Sequence, residues 1–289
     1  ESIMKYLKYV VVCLLFLFSC SDDEDNTPTS LRDIDALIAI DSANPTNTLG
    51  WDTNDPNISN WNGVEVKNGR VTSLIVGEDK VINVLPPEIG ALTELDTLVV
   101  FSNSLTQIPR EIGSLTKLQL LVLSRNEITS LPEEMGLLTK LVSLNVGDNR
   151  LTAIPQRFEE LEDNLKEFRV GNNELSTYPE VLSELTNLTV LSLFNTGLKE
   201  LPNSIQKLSE LEQLFLSRNE FTTLPKEIGM LKKLEILAFD RNESLSSLPI
   251  EMGNLESLEE IRVVNRHREF FPKKLNDLLQ KNSVRVVIN

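Results

Sequence analysis

The residues that could do chemistry are few and lie far apart. His267 is the single histidine, and both cysteines, Cys13 and Cys20, fall within the first 20 residues. A structural zinc centre takes about four ligands, and a hydrolytic triad needs a nucleophile beside its histidine. One imidazole near the C-terminal end supports neither, so no metal and no cofactor is expected. Its neighbours Arg266 and Arg268 suggest solvated charge on a final turn. Acidic pairs occur at Glu133-Glu134 and Glu159-Glu160, but glycoside hydrolysis needs opposed carboxylates in a cleft. Asp148 and Glu167 come closer to that arrangement, yet Arg169 beside them indicates an ion-paired surface. The chain contains neither a phosphate-cradling glycine loop nor a Gly-x-Ser-x-Gly elbow. A non-catalytic protein is expected.

Charge narrows the partners. With 43 acidic and 28 basic residues in 289, the net charge is −15. Such a surface repels phosphate backbones unless a strong basic stripe offsets it, and no such stripe is present. Nucleic acid is therefore excluded as the expected partner. A hydrophobic fraction of 40% with 25% charged residues is that of a globular chain.

The elements that position these residues begin with an address. Met4-Lys5-Tyr6-Leu7-Lys8 is a short basic start, and Tyr9 to Phe18 is an apolar run of ten residues. A bilayer-spanning helix needs roughly 20 residues, so residues 1–19 read as a signal peptide. The run ends in Leu17-Phe18-Ser19-Cys20, which resembles the lipobox of bacterial lipoproteins. The resemblance implies cleavage before Cys20 and lipid attachment at Cys20, and thus a membrane contact through that anchor. Residues 20–30, with the acidic run Ser21-Asp22-Asp23-Glu24-Asp25, read as a tether. The run also resembles the export signal that places lipoproteins on the outer leaflet in some Gram-negative bacteria. The implied location is the outer membrane, with the protein exposed at the cell surface.

From residue 71 a phrase recurs. Its clearest copy is Leu95-x-x-Leu98-x-Val100-x-x-Asn103-x-Leu105-x-x-Ile108-Pro109-x-x-Ile112-Gly113-x-Leu115. Further copies start at Leu118, Leu141, Leu165, Leu188, Leu211, Leu234 and Leu258, at intervals of 23 or 24 residues, and an earlier one starts at Val71. Leu98-x-Val100 alternates with period two and predicts a short strand with its leucines inward. One turn cannot bury its apolar face alone, so neighbours must stack. The asparagines at 103, 126, 149, 173, 219 and 242 fall where the chain leaves the strand. There a buried carboxamide can bond backbone groups of its own turn and the next. Thr196 and Arg266 replace it in two turns. Proline fixes φ and lacks an N–H, so the Leu-Pro pairs hold the outer side extended or tightly turned.

The phrase Leu-Pro-x-x-Ile-Gly-x-Leu resembles the 23-residue class of leucine-rich repeats found in signalling scaffolds and bacterial surface proteins. The resemblance implies an α/β fold: a leucine-rich-repeat solenoid, a curved parallel β-sheet horseshoe of about nine repeats over 71–266, capped at both ends. Residues 31–70 form the expected N-terminal cap. Ser30-x-x-Asp33 reads as a capping box before a helix carrying Ile34, Leu37 and Ile38. The following segment, with Trp51 and Trp61, resembles the cap of plant-type leucine-rich-repeat receptors without its cysteine pair. Apolar burial of both indoles is expected to compensate. Residues 267–289 form the C-terminal cap, with a helix through Leu275, Leu278 and Leu279 and a last strand over Val284 to Ile288.

In this frame the third, fifth, seventh and eighth positions point away from the core. They place Ile75, Val99, Phe101, Leu120 and Val122 on early turns, and Ser143, Asn145, Asp148, Glu167, Arg169 and Asn172 in the middle. Val190, Phe194, Phe215, Ile236 and Ala238 follow on later turns. Two apolar patches thus flank a polar centre. Phe194 and Phe215 lie on adjacent turns, about 4.8 Å apart in strand spacing, and are expected to stack. Clustered outward aromatics mark binding hot spots. Phe101, Val122, Arg169, Phe194, Phe215 and Ile236 are therefore the candidate contacts for a protein partner. The alternative is a carbohydrate-binding accessory of an outer-membrane uptake system, using Trp51, Trp61 and the concave aromatics to hold a glycan.

Overall fold

A computed structural model describes residues 30–55, 57–77 and 81–289; the signal peptide, Cys20 and the acidic run lie outside them. The alternation of inward leucines produces β2 (Arg70–Val76), β3 (Thr97–Val100), β4 (Leu120–Val122), β5 (Ser143–Asn145), β6 (Glu167–Arg169), β7 (Val190–Ser192), β8 (Gln213–Phe215), β9 (Ile236–Ala238) and β10 (Glu260–Val263). All pair in parallel and in sequence order. β1 (Val64–Lys67) adds an antiparallel strand at one edge and β11 (Arg285–Ile288) a parallel one at the other, making eleven strands. The sheet is the concave layer of the expected horseshoe.

Register explains how the repeat builds its core. Leu98 pairs with Leu121, Leu144 with Phe168, and Leu191 with Leu214, so inward side chains stack in one continuous row. These residues are fully buried, and each large side chain removed from water contributes about 1.5–3 kcal/mol. On the opposite layer, every proline of the phrase caps a short 3₁₀ turn, such as Arg110–Ser114 after Pro109 and Glu133–Leu137 after Pro132. Proline suits that place, because its φ is already set and its missing N–H would be unpaired there anyway. Gly113 lets successive 3₁₀ turns close up. A Cβ there would lie 2.5 Å from the Glu134 carbonyl oxygen.

The asparagines bond backward rather than forward. Asn149 Nδ2 donates to Leu123 O of the preceding turn and to Val146 O of its own, both at 3.0 Å. Its Oδ1 accepts from the Ile128 N–H of the preceding turn at 3.0 Å. The expectation of bonds to the following turn is corrected, because the chain leaves each strand beside the exit of the turn before it. Thr196 donates to Leu193 O at 2.9 Å and also meets Asn219 Oδ1.

Both caps form. The N-terminal helix runs Leu31–Ala43 and buries Ala36, Leu37 and Ile40. Ser30 makes no side-chain cap bond, so the expected capping box is absent. Asp33 turns inward and binds Arg70 and the Val71 N–H instead. Trp51 and Trp61 are buried and stack with ring centroids 5.1 Å apart. The C-terminal helix, Lys273–Lys281, buries Leu275, Leu278 and Leu279. Among the described residues no helix is long and apolar enough to cross a membrane.

His267 corrects a second expectation. It is fully buried, stacks on Phe239 at 5.7 Å, and places Nε2 3.2 Å from Asn242 O. Both flanking arginines are exposed, Arg266 pairing with Glu243 at 3.0 Å, while the imidazole between them turns inward.

Candidate protein-binding surface

The uncovered face of the sheet is built from short strands whose alternate side chains point away from the core, so the frame positions become columns across the turns. One column runs Ile75, Val99, Val122, Asn145, Arg169, Ser192, Phe215, Ala238 and Arg262 through successive strand pairs. The two apolar patches and the polar centre expected from sequence are all on this face, but they differ in how open they are.

The early patch closes on itself. Val99, Leu120 and Val122 form a small buried cluster separate from the main core, and Phe101 packs against it. The Phe101 ring also lies over Gly77, where a Cβ would come within 2.2 Å of its Cε1. Val122 is only 7% exposed and offers a partner little surface. Ile75, 47% exposed, is the open member of this end.

The centre is polar and internally bonded. Arg169 pairs with Glu167 at 3.2 Å, and both are half-buried. Asn172 donates to Asp148 at 2.7 Å, and Asn195 donates to Asn172 at 2.8 Å. These bonds hold the expected acidic neighbours in a fixed network. Among the described residues no group of His, Cys, Asp and Glu could hold a metal ion.

The late patch is more open and is arranged differently from the expectation. Phe215 is in register with Ser192, not with Phe194. Phe194 lies two residues further along its turn, so the rings sit diagonally and do not stack on each other. Each lies beneath an arginine instead, with the Arg218 guanidinium 5.5 Å from the Phe194 ring centre and that of Arg262 5.7 Å from Phe215. Arg262 spans two turns to do this, which the small Ala238 between them permits. Cation–π contacts of this kind contribute about 0.5–1 kcal/mol at exposed sites and more where water is excluded. Both phenylalanines and Ile236 are half-buried.

At the eighth frame position Asp148 and Asn172 were expected from sequence, but the arginines Arg125, Arg218 and Arg241 were missed. The residue before each asparagine position adopts the left-handed conformation: Ser102, Arg125, Asp148, Asn172, Asn195, Arg218 and Arg241 all have φ between 52° and 58°. Asn and Asp tolerate this region through local hydrogen bonds. Arginine has no such preference, so its recurrence there was the available signal. Arg218 and Arg241 are exposed, and no carboxylate pairs with either among the described residues. The nearby carboxylates are engaged: Asp240 accepts from Ser217, and Glu260 pairs with Arg262 and Arg285.

The indoles belong to the cap. Trp51 Nε1 donates to Asn62 O at 2.9 Å, and both rings are buried against each other. A glycan platform therefore loses Trp51 and Trp61, leaving that reading only the concave aromatics.

Several solved structures share this arrangement. A plant ice-binding protein is 24% identical, with a TM-score of 0.67 over 83% of this chain and 89% of its own. The leucine-rich-repeat ectodomain of the Arabidopsis receptor kinase HAESA, solved with an IDA peptide hormone ligand, is 25% identical. It covers 81% of this chain with a TM-score of 0.59, and this chain spans 45% of it. An internalin from Listeria monocytogenes is 23% identical over 61% of this chain and 49% of its own, at a TM-score of 0.50. These likenesses are likenesses of fold. No curated protein matches the sequence. The leucine-rich repeat region family matches residues 87–194 and 180–287, across the strands and 3₁₀ turns described above, and the chain belongs to that family.

Proposed function

We propose that this protein is a non-catalytic recognition protein that holds a protein partner on the late half of its concave face. The observation that carries this reading is the pair of half-buried phenylalanines, Phe194 and Phe215, each under an arginine on the uncovered side of the sheet. Aromatic and arginine side chains dominate interface hot spots, and the concave surfaces of solenoids serve as extended binding faces. The peptide ligand of the HAESA ectodomain is consistent with this use of the fold. Phe194, Phe215 and Ile236 are the central contacts, and Arg169 borders them. Phe101 and Val122 belong to a patch that already covers itself, so they contribute less.

We further propose that the protein works at the surface of the outer membrane, tethered through lipid on Cys20. The support is the Leu17-Phe18-Ser19-Cys20 sequence and the acidic run after it. Cys20→Ala should abolish incorporation of an alkyne-labelled fatty acid, and proteinase added to intact cells should remove the wild-type protein. Label retained by the variant, or full protection from proteinase, overturns the corresponding part of the reading.

Recognition is tested by placing a photoreactive phenylalanine analogue at position 215 in cells. One protein should be captured there, and none from the same analogue at Glu133 on the convex side. Phe194→Ala with Phe215→Ala should then weaken binding of that protein by about tenfold or more. Unchanged affinity removes this patch.

A further inference from the structure

We infer that the late concave rim receives an extended, acidic segment of the protein partner, with Arg218 and Arg241 binding its carboxylates. This inference rests on the recognition reading above and names the chemistry of the partner.

Local charge points this way. The whole chain carries −15, yet the uncovered face from β7 to β11 presents Arg218, Arg241, Arg262 and Arg285 against Asp240 and Glu260. Both of those carboxylates are already engaged, Asp240 by Ser217 and Glu260 by two of the arginines. Arg218 and Arg241 are left with exposed guanidiniums and no carboxylate partner among the described residues. Most exposed cations elsewhere on the solenoid pair across turns, as Lys207 does with Glu184 and Arg150 with Glu127.

Backbone conformation gives the second argument. Arg218 and Arg241 sit in left-handed backbone at φ 58° and 55°, which costs about 1 kcal/mol or more for a residue with a Cβ. Asn172 and Asn195 occupy equivalent places and bond along the row. An arginine gains no such local compensation there, so its value lies in the head group. The Arg218 guanidinium carbon lies 5.5 Å from the Phe194 ring centre, a contact that restrains the head group while its N–H groups can still donate to carboxylate oxygens.

Geometry selects an extended segment. Adjacent turns are about 4.8 Å apart, and alternate residues of an extended chain are about 6.7 Å apart. Two acidic side chains on one face of such a segment match the two arginines within the reach of their side chains. Apolar residues beside them fall on Phe215 and Ile236. A long polyanion does not fit, because the remaining surface repels it. Nucleic acid and anionic membranes are thereby disfavoured.

The test is selection of a displayed library of random linear peptides on the full chain. Peptides bearing Asp or Glu beside Leu or Phe should be enriched, and a labelled representative should bind more weakly as salt rises. Arg218→Glu with Arg241→Glu should weaken that peptide by about tenfold or more and shift selection toward Lys and Arg. Loss of binding on Phe194→Ala with Phe215→Ala, but not on the arginine reversal, overturns the acidic assignment and leaves recognition by this face standing. Binding indifferent to both pairs of substitutions overturns the recognition reading itself. Selection of neutral or basic peptides, or binding of duplex DNA or phosphatidylserine vesicles in place of acidic peptides, also overturns the assignment.

Discussion

Asp33 and Arg70, 37 residues apart in sequence, form a forked pair at the start of the solenoid: the guanidinium donates from Nε and Nη2 to the fully buried carboxylate at 3.0 Å each. The same carboxylate accepts the Val71 N–H at 2.8 Å. It therefore ties the N-terminal helix to the first parallel strand. Asp33→Ala leaves the Val71 amide unpaired and removes the forked partner of the partly exposed Arg70, and should cost about 1–3 kcal/mol. Arg70→Lys should also destabilise, because an ammonium cannot reproduce the fork. Urea unfolding followed by tryptophan fluorescence, which reports Trp51 and Trp61 in the cap, should shift to lower denaturant. An unchanged midpoint would refute the role.

This pair marks where the sequence stops being readable. The repeat was legible because a fixed period puts the same residue type in the same place nine times, so Leu98 and Leu121 declare their stacking without coordinates. Asp33 was misread as a capping residue because the partner that decides its orientation lies beyond any local pattern. His267 was misread for the same reason: Arg266 and Arg268 pointed to water, while Phe239 from the preceding turn covers it. The site was legible as a face but not as contacts. The offset between Phe194, seventh in its turn, and Phe215, fifth in its own, is readable from the frame and agrees with the register of β7 with β8. The arginine over each ring is not readable, because it comes from a later turn.

Asn173 tests the backward bonding of the asparagine row. Its amide donates to Val146 O at 3.0 Å and Val170 O at 2.8 Å, and its oxygen accepts from Leu151 N–H at 2.8 Å. Asn173→Ala leaves buried backbone groups unpaired and should cost about 2–4 kcal/mol. The Leu151 amide, in the preceding turn, should lose hydrogen-exchange protection more than amides of the following turn. The opposite order would mean that the carboxamide supports the next turn instead.

Gly77 controls whether the early patch stays closed. A methyl group there would overlap the Phe101 ring at 2.2 Å, so Gly77→Ala must swing the ring off Val99 and Val122. Dye binding to exposed apolar surface should rise, and stability should fall by about 1–2 kcal/mol. Gly147→Ala is the matched control, since its nearest atom, Gly171 O, is 3.2 Å away. Equal dye binding by wild type and Gly77→Ala would show that Phe101 is not the lid of this cluster.

His267 should give the fold a dependence on mild acid. Burial lowers its pKa, an effect partly opposed by the bond to Asn242 O; Arg266 nearby lowers it further, while Glu243 and Asp240 raise it. The folded state thus holds the imidazole neutral at pH values where the unfolded chain, titrating near 6.5, takes up a proton. Between the two values the unfolded state binds more protons, so stability rises with pH through that window and falls as pH drops below about 6.5. The contribution of one such group approaches about 1.4 kcal/mol per pH unit within the window. His267→Phe keeps a ring against Phe239 and removes the titration. The stability of wild type relative to His267→Phe, measured by urea unfolding, should therefore fall between pH 7 and pH 5.5. Parallel profiles would mean that His267 takes its proton in the folded state as readily as in the unfolded one, through the Nδ1 that has no hydrogen-bond partner in the fold.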